Sequence, residues 1–335
     1  PNTNEIKNLI KAREIWDQFI EGNYKTAEPG IIFWSTMSDY SPSNYVGRPI
    51  ICTNPCAEVP LEDGGACNLG SINLSRFVNN GFTPEASIDW DQLAESTETL
   101  VRFLDNVVTW NEDLNALEKQ RIAASETRRL GLGVMGIADM LNQLGVAYDS
   151  EQGSLMIEKV MEYITNAAYQ ASSFIAKEKS PSSIFDEKSY MECPFVKEAL
   201  SEQTHSMIRK NGLRNIAIMS IAPTGSISNI VLGFKGEDKN YIGVSGGVEP
   251  IFSTFYTRRS ESFGNKFFKV FHSTIQAYID MNDLQQQVNE TDDVDSILPE
   301  YLTRTAHKID SIKRVGVQGV IQRYIDHSIS STINL

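Results

Sequence analysis

The amino-acid sequence predicts an α/β fold built as one unit. Helical apolar stripes alternate with short apolar runs along the chain, the pattern of strands covered by helices. No self-similar period points to a repeat architecture. No Pro/Gly/Ser-rich linker divides the 335 residues, and 41% hydrophobic with 22% charged residues is ordinary globular composition.

The elements follow in order. Residues 4–21 read as an amphipathic helix carrying Ile6, Leu9, Ile10, Ile15, Trp16 and Phe19. Gly30 opens a strand-like run, Ile31-Ile32-Phe33-Trp34, followed by a polar loop to Gly47. A helix is expected from Asp89, with Gln92 completing a capping-box pattern and Leu93, Leu100, Leu104, Val107 and Val108 as its stripe. A long helix begins around Asp149-Ser150-Glu151, with Met156, Val160, Ile164, Ala168, Ala171 and Ile175 on one face. Segment 216–222 is short, apolar and bounded by Pro-Thr-Gly, so it reads as a buried strand. Residues 267–281 and 315–325 read as helices, 288–296 as an acidic exposed loop, and 329–335 as a closing strand.

Charge and composition exclude several functions. Thirty basic against 43 acidic residues give a formal −13. A protein that wraps duplex nucleic acid needs a basic face, so no nucleic-acid partner is expected. No apolar run approaches the roughly 20 residues of a membrane helix. The opening Pro1-Asn2-Thr3-Asn4-Glu5 has no secretory pattern, and four cysteines are too few for a disulfide framework. The expectation is a reducing, cytoplasmic compartment with no membrane partner.

Four motifs could carry chemistry. Gly131-Leu132-Gly133-Val134-Met135-Gly136 spells a dinucleotide fingerprint, but the residues before it are polar and charged where that motif needs an apolar strand. The glycines read better as points of close backbone approach. Segment 52–60 contains Asn54, Cys56 and Glu58, and its prolines favour extended backbone. Extended backbone would project an amide, a thiol and a carboxylate from one edge, a plausible reaction constellation. A buried structural cysteine, half of a metal site and an ordinary nucleophile compete with that reading, although the four histidines lie at no ligand spacing, none within 140 residues of Cys56, and no metal site is expected. Cys67 follows eleven residues after Cys56, and is either a second reactive thiol or a core residue. Finally, Thr224, Gly225, Ser226, Ile227 and Ser228 follow the buried strand. Their hydroxyls and N–H groups would cradle an anion at a helix start, or simply cap the helix.

Taken together, these segments resemble the catalytic large subunit of ribonucleotide reductases. The match runs through Asn54-Pro55-Cys56-Ala57-Glu58, Cys67-Asn68-Leu69-Gly70-Ser71-Ile72-Asn73-Leu74, Arg129-Leu130-Gly131-Leu132-Gly133, Ala222-Pro223-Thr224-Gly225-Ser226-Ile227-Ser228, Gly247-Val248-Glu249-Pro250 and 327–335. The resemblance implies the second half of a ten-stranded α/β barrel with a central finger loop. It implies that Cys56 becomes a thiyl radical and takes the ribose 3′ hydrogen. Glu58 would accept the 3′-hydroxyl proton, Asn54 would hold the sugar hydroxyls, and Cys67 would be one member of the reducing thiol pair. The cradle 224–228 would hold the phosphates of a ribonucleoside di- or triphosphate. A non-catalytic nucleotide-binding or regulatory fragment is the alternative.

The resemblance also implies an allosteric enzyme, a dimer, and a thioredoxin- or glutaredoxin-type reductant. The radical would come from adenosylcobalamin or from a separate small subunit. The Asn-Pro-Cys, Ala-Pro-Thr-Gly and Ser-Ser-Thr-Ile-Asn-Leu wording resembles the adenosylcobalamin-dependent class. Tyr256-Thr257-Arg258-Arg259 is found in the other class as well. Relatives carry the partner of Cys67 in an upstream half-barrel, and continue into a tail with a second cysteine pair. Neither is found here, so residues 1–335 are expected to be one partial catalytic unit, active only when completed. Segment 232–243 reads as an inserted surface loop.

Overall fold

Four parallel segments lie side by side as a floor in a computed structural model that describes residues 9–260 and 266–334. Strands Asn68–Asn73 and Leu130–Met135 pair in register, Asn68 against Leu130 through Asn73 against Met135. Segment 216–222 joins the second strand by N–H···O bonds from Leu130 to Ala217 (3.0 Å), Leu132 to Ile218 (2.8 Å) and Ser220 to Leu132 (2.9 Å). Residues 327–330 complete the floor, with Ile221 N–H on the Ser328 carbonyl and Ser330 N–H on the Ile221 carbonyl. All six residues of Leu130–Met135 are buried. A near-continuous apolar run is what a parallel strand covered on both faces requires.

The glycines of the apparent fingerprint lie inside or directly after this strand. A methyl group added to Gly133 would sit 2.3 Å from the Ser220 carbonyl oxygen, so only glycine lets the neighbouring strand approach. The motif therefore packs strands and delivers no phosphate turn.

Helices back the floor. Helix Trp90–Asn111 starts on Asp89, whose Oδ1 accepts the Gln92 N–H at 3.1 Å. The reciprocal half of the expected box is absent, because the Asp89 N–H bonds the Phe77 carbonyl. The 29-residue helix Glu151–Lys179 is capped by Ser150 and buries Val160, Ile164, Ala168, Ala171 and Ile175 as its periodicity predicts. It packs against helices Trp90–Asn111, Glu202–Asn211 and Ser311–Gln322. Each fully buried Leu or Ile contributes about 1.5–3 kcal/mol.

Several expectations are corrected. The run 31–34 forms no strand; Trp34 opens the helix Trp34–Tyr40, and Ile31, Ile32 and Phe33 stay exposed, with no strand paired to them among the described residues. The first helix is Ala12–Thr26 and buries none of its residues; the part of that reading on residues 4–8 falls outside the described residues. Residues 266–271 are a strand, paired antiparallel with Phe255–Ser260, and the helix begins only at Ser273. A neighbouring strand satisfied backbone that a helical period also fitted. The final helix starts earlier than expected, at Ser311, because Asp310 caps it. In 288–296, Val288 and Val294 are buried, so the segment is not wholly an exposed loop.

Segment 232–243 is not a loop either. It is a hairpin of Leu232–Lys235 and Asn240–Ile242, seated by Asn73 Nδ2 on the Leu232 carbonyl (2.8 Å) and Ser75 Oγ on the Gly233 carbonyl (2.9 Å). The aromatic ring of Phe234 lies 5.3 Å from that of Phe82.

Candidate active site

The segment carrying Asn54, Cys56 and Glu58 is a hairpin. Strands Ile50–Thr53 and Pro60–Glu62 pair antiparallel, and the chain reverses between them. The Ala57 N–H bonds the Asn54 carbonyl at 3.0 Å, and Ala57 takes a positive φ of 63°. The Asn54 N–H donates to the Val59 carbonyl (3.1 Å), while Asn54 Oδ1 accepts the Val59 N–H (3.0 Å). Extended backbone across 54–58 is thereby corrected: Pro55 starts a turn, which local bonding closes. The alternation that would have put three side chains on one edge does not apply.

The turn sorts the three residues differently. Cys56 is exposed at the tip. Glu58, two residues on, is only 1% exposed, and its Oε2 is shut in with no hydrogen-bond partner among the described residues. A buried carboxylate oxygen left unpaired is costly, so it marks a site where a ligand's proton or hydroxyl would be welcome. Asn54 is half-buried, with its Oδ1 committed to the turn.

The hairpin rests on the floor through the Glu58 carbonyl, which accepts from Ser220 Oγ (2.8 Å) and from the Ser328 N–H (3.0 Å). At its foot Glu62 is buried and accepts from Arg129 Nε (3.1 Å), Arg129 Nη2 (2.5 Å) and Thr127 Oγ1 (2.9 Å). Arg129 Nη1 meets His327 Nε2 at 2.8 Å. A guanidinium only donates, so that nitrogen is the acceptor, and the ring proton belongs on Nδ1, 2.9 Å from the Met219 carbonyl. Beside it, Asp326 accepts N–H bonds from Ile218 (2.7 Å) and Met219 (3.0 Å) and the hydroxyl of Tyr169.

Cys67 stands just before the first floor strand, half-buried, with its sulfur against Gly131. Burial pushes its thiol up to about 12; Arg129 pulls the other way, while Asp326, Glu58 and Glu62 reinforce the rise. Gly131 lies two residues beyond Arg129, which holds Glu62, so the Cys67 sulfur and the foot of the hairpin meet the same stretch of the second floor strand. Cys52 is exposed on the hairpin strand, and Cys193 is buried against the Tyr40 carbonyl at 3.6 Å.

The cradle leaves the floor four residues beyond Ser220, so Thr224 lies within about 14 Å of it along the chain. The expected helix start is corrected to one turn of 3-10 helix, Ile227–Asn229. Thr224 is buried with a φ of 53°, and its Oγ1 accepts the Gly247 N–H at 2.8 Å. The Ser228 N–H closes the turn on the Thr224 carbonyl (2.9 Å). Gly225, Ser226 and Ile227 are exposed, and their N–H groups have no partner among the described residues. Unpartnered backbone donors in one tight turn are the kind of group with which anion-binding nests are built. Alongside is a cavity of about 420 Å³ lined by Ser228, Gly246, Glu249, His272 and Thr332, among others. Asp139, fully buried, anchors its rim by accepting from His272 Nε2 (2.6 Å), the Ser245 N–H (2.7 Å) and Thr274. Burial works to raise the Asp139 carboxyl, but His272 and these hydrogen bonds outweigh it and hold it below its usual range.

Sequence reasoning passed over Ser220 and Glu62, and quoted Arg129 and His327 only inside motifs. No local pattern could find them, since Arg129 meets partners 67 and 198 positions away.

Comparison with known proteins bears on the family and the fold. The family model "Ribonucleotide reductase, barrel domain" matches residues 2–335. A vitamin B12-dependent ribonucleoside-diphosphate reductase of Thermoplasma acidophilum is 36% identical over the whole chain, which spans 40% of that relative's length. One of the same description from Mycobacterium tuberculosis is 34% identical over 77% of this chain and 32% of its own. The solved alpha subunit of the Actinobacillus ureae class Id ribonucleotide reductase superposes with a TM-score of 0.67 at 20% identity, covering 95% of this chain and 54% of that one, and so shares the fold. The chain belongs to the ribonucleotide reductase barrel-domain family.

Proposed function

We propose that this chain supplies the radical-bearing half of a site that reduces ribonucleotides to 2′-deoxyribonucleotides. The observation that carries the reading is the pairing of Glu58, buried with an unpartnered carboxylate oxygen, with Cys56 two residues away on an exposed tip. In this reading a Cys56 thiyl radical takes the ribose 3′ hydrogen, and Glu58 accepts the 3′-hydroxyl proton. The Asn54 Nδ2 is left to donate to a sugar hydroxyl, because Oδ1 is committed to the turn. The 2′-hydroxyl departs as water, and two thiols supply two electrons and become a disulfide. Cys67 is one of them: its raised value keeps the S–H intact until it is needed. The free N–H groups of Gly225, Ser226 and Ile227, with the hydroxyls of Thr224, Ser226 and Ser228, hold the phosphates and so fix the sugar over the hairpin. The names of the relatives favour a ribonucleoside diphosphate as substrate.

The radical source that fits best is adenosylcobalamin, as in those relatives' names. The exposed Cys56 tip suits approach by a bulky group, and Cys56 is the residue that would meet it. Bound there, such a group supplies the radical. A radical from a separate small subunit is the alternative source; a thioredoxin- or glutaredoxin-type reductant, an upstream half-barrel and a dimeric assembly complete the proposal.

Cys56→Ser in the competent assembly tests the reading. Turnover should vanish while nucleotide binding persists; substantial residual reduction would refute it. Glu58→Gln should slow turnover at unchanged nucleotide affinity.

A further inference from the structure

The foot of the hairpin holds a buried charge pair that no reaction step above uses. Arg129 and Glu62 are 1% and 2% exposed, and two of the three guanidinium nitrogens grip the carboxylate. Nη2 also donates to Ser43 Oγ (3.0 Å) and Nη1 to His327 (2.8 Å). One side chain thus joins the hairpin strand Pro60–Glu62, the floor strand it precedes, the closing segment at His327, and the helix Pro42–Tyr45 ahead of the hairpin.

Geometry decides what such a grip does. Glu62 is four residues from Glu58 and six from Cys56, across a strand only three residues long. The far end of the hairpin, by contrast, hydrogen-bonds the floor among the described residues through the Glu58 carbonyl, beside the buried Val59. The tip is a short lever with its fulcrum at the Arg129–Glu62 pair. We propose that this pair is a positioning device: it sets where the tip carrying Cys56 lies, and acts on turnover without touching substrate. The inference rests on the reading of Cys56 as the radical residue. The Arg129 charge also faces the Cys67 thiol, and a methyl added two residues on, at Gly131, would lie 2.9 Å from that sulfur. The same cation therefore acts on the Cys67 thiol while holding the foot of the hairpin whose tip carries Cys56.

Glu62→Gln keeps size and most hydrogen-bonding capacity, and Arg129→Lys keeps the charge while removing the fork. In the competent assembly each should lower kcat by about ten- to a hundredfold, with KM within about twofold, since an ångström of misplacement costs the chemical step and not binding. In this chain, site-resolved alkylation of Cys56 should change rate by about fivefold, with Ser standing at position 52 in every sample (Cys52→Ser). Should Arg129→Lys fail to fold, Glu62→Gln decides alone. Unchanged kcat, or a loss of activity with the Cys56 alkylation rate unmoved, overturns the inference while leaving the role of Cys56 intact. A Cys56→Ser variant that still turns over sinks both.

Discussion

The floor and the hairpin that rests on it are held by opposite means. The floor strand Leu130–Met135 and segment 216–221 are buried throughout and sandwiched between apolar side chains. The hairpin buries few apolar side chains, Ile50 and Val59 among them, and is oriented by polar contacts: Ser220 and Ser328 on the Glu58 carbonyl, the Asn54 turn, and the Glu62–Arg129 pair. Apolar burial is additive and insensitive to direction, so it stabilises a platform. Hydrogen bonds are directional and few, so they aim a tip. The two sulfur atoms fall on either side of this division, Cys67 against the floor and Cys56 on the tip.

That contrast can be broken most sharply at the cysteines. An ordinary thiol near 9 has been pushed up to about 12 at Cys67. At pH 8 Cys67 should therefore alkylate about a thousandfold more slowly than an exposed thiol. Site-resolved mass spectrometry showing equal rates at Cys56 and Cys67 would erase the distinction. The sign also fixes the pH dependence. The Cys67 contribution to stability is full below the ordinary thiol value and is lost as pH rises toward 12.

Removing floor volume should come next. Leu132→Ala, at a fully buried site, should cost about 3 kcal/mol in urea unfolding. Asp139→Asn at the rim should cost about 2 kcal/mol at neutral pH, from weakened charge-assisted bonds. Its lowered carboxyl contributes fully above about pH 4 and loses that contribution as pH falls through the folded value. The variant's melting temperature should therefore fall less on acidification than that of the parent chain. The smallest effect belongs to the hairpin: Ser220→Ala should cost about 1 kcal/mol, yet speed Cys56 alkylation. A stability loss equal to that of Leu132→Ala would mean the hairpin is part of the core.

Much of this was legible in the sequence wherever local chemistry decided. The Asp89 cap, the stripe of Glu151–Lys179 and the buried strand near 216–222 each follow from periods and side-chain chemistry within a few residues. Readings failed where two local solutions were nearly equal. Phe267-Phe268-Lys269-Val270-Phe271 fits a helix or a strand, and the facing strand Phe255–Ser260 broke the tie. The run at Ile31 looked like a strand, but a strand without a neighbour leaves its backbone unpaired.

By itself the sequence determined the family, the alternation of helix and strand, and the neighbouring thiol and carboxylate that we propose to react. Only the tertiary structure decided which of those two would be buried, and that a turn rather than a straight strand would separate them. It alone brought Arg129, Glu62 and His327 together beneath the hairpin. The reason is physical: residue chemistry and period are properties of neighbours along the chain, whereas burial and charge pairing depend on segments as far apart as 198 positions.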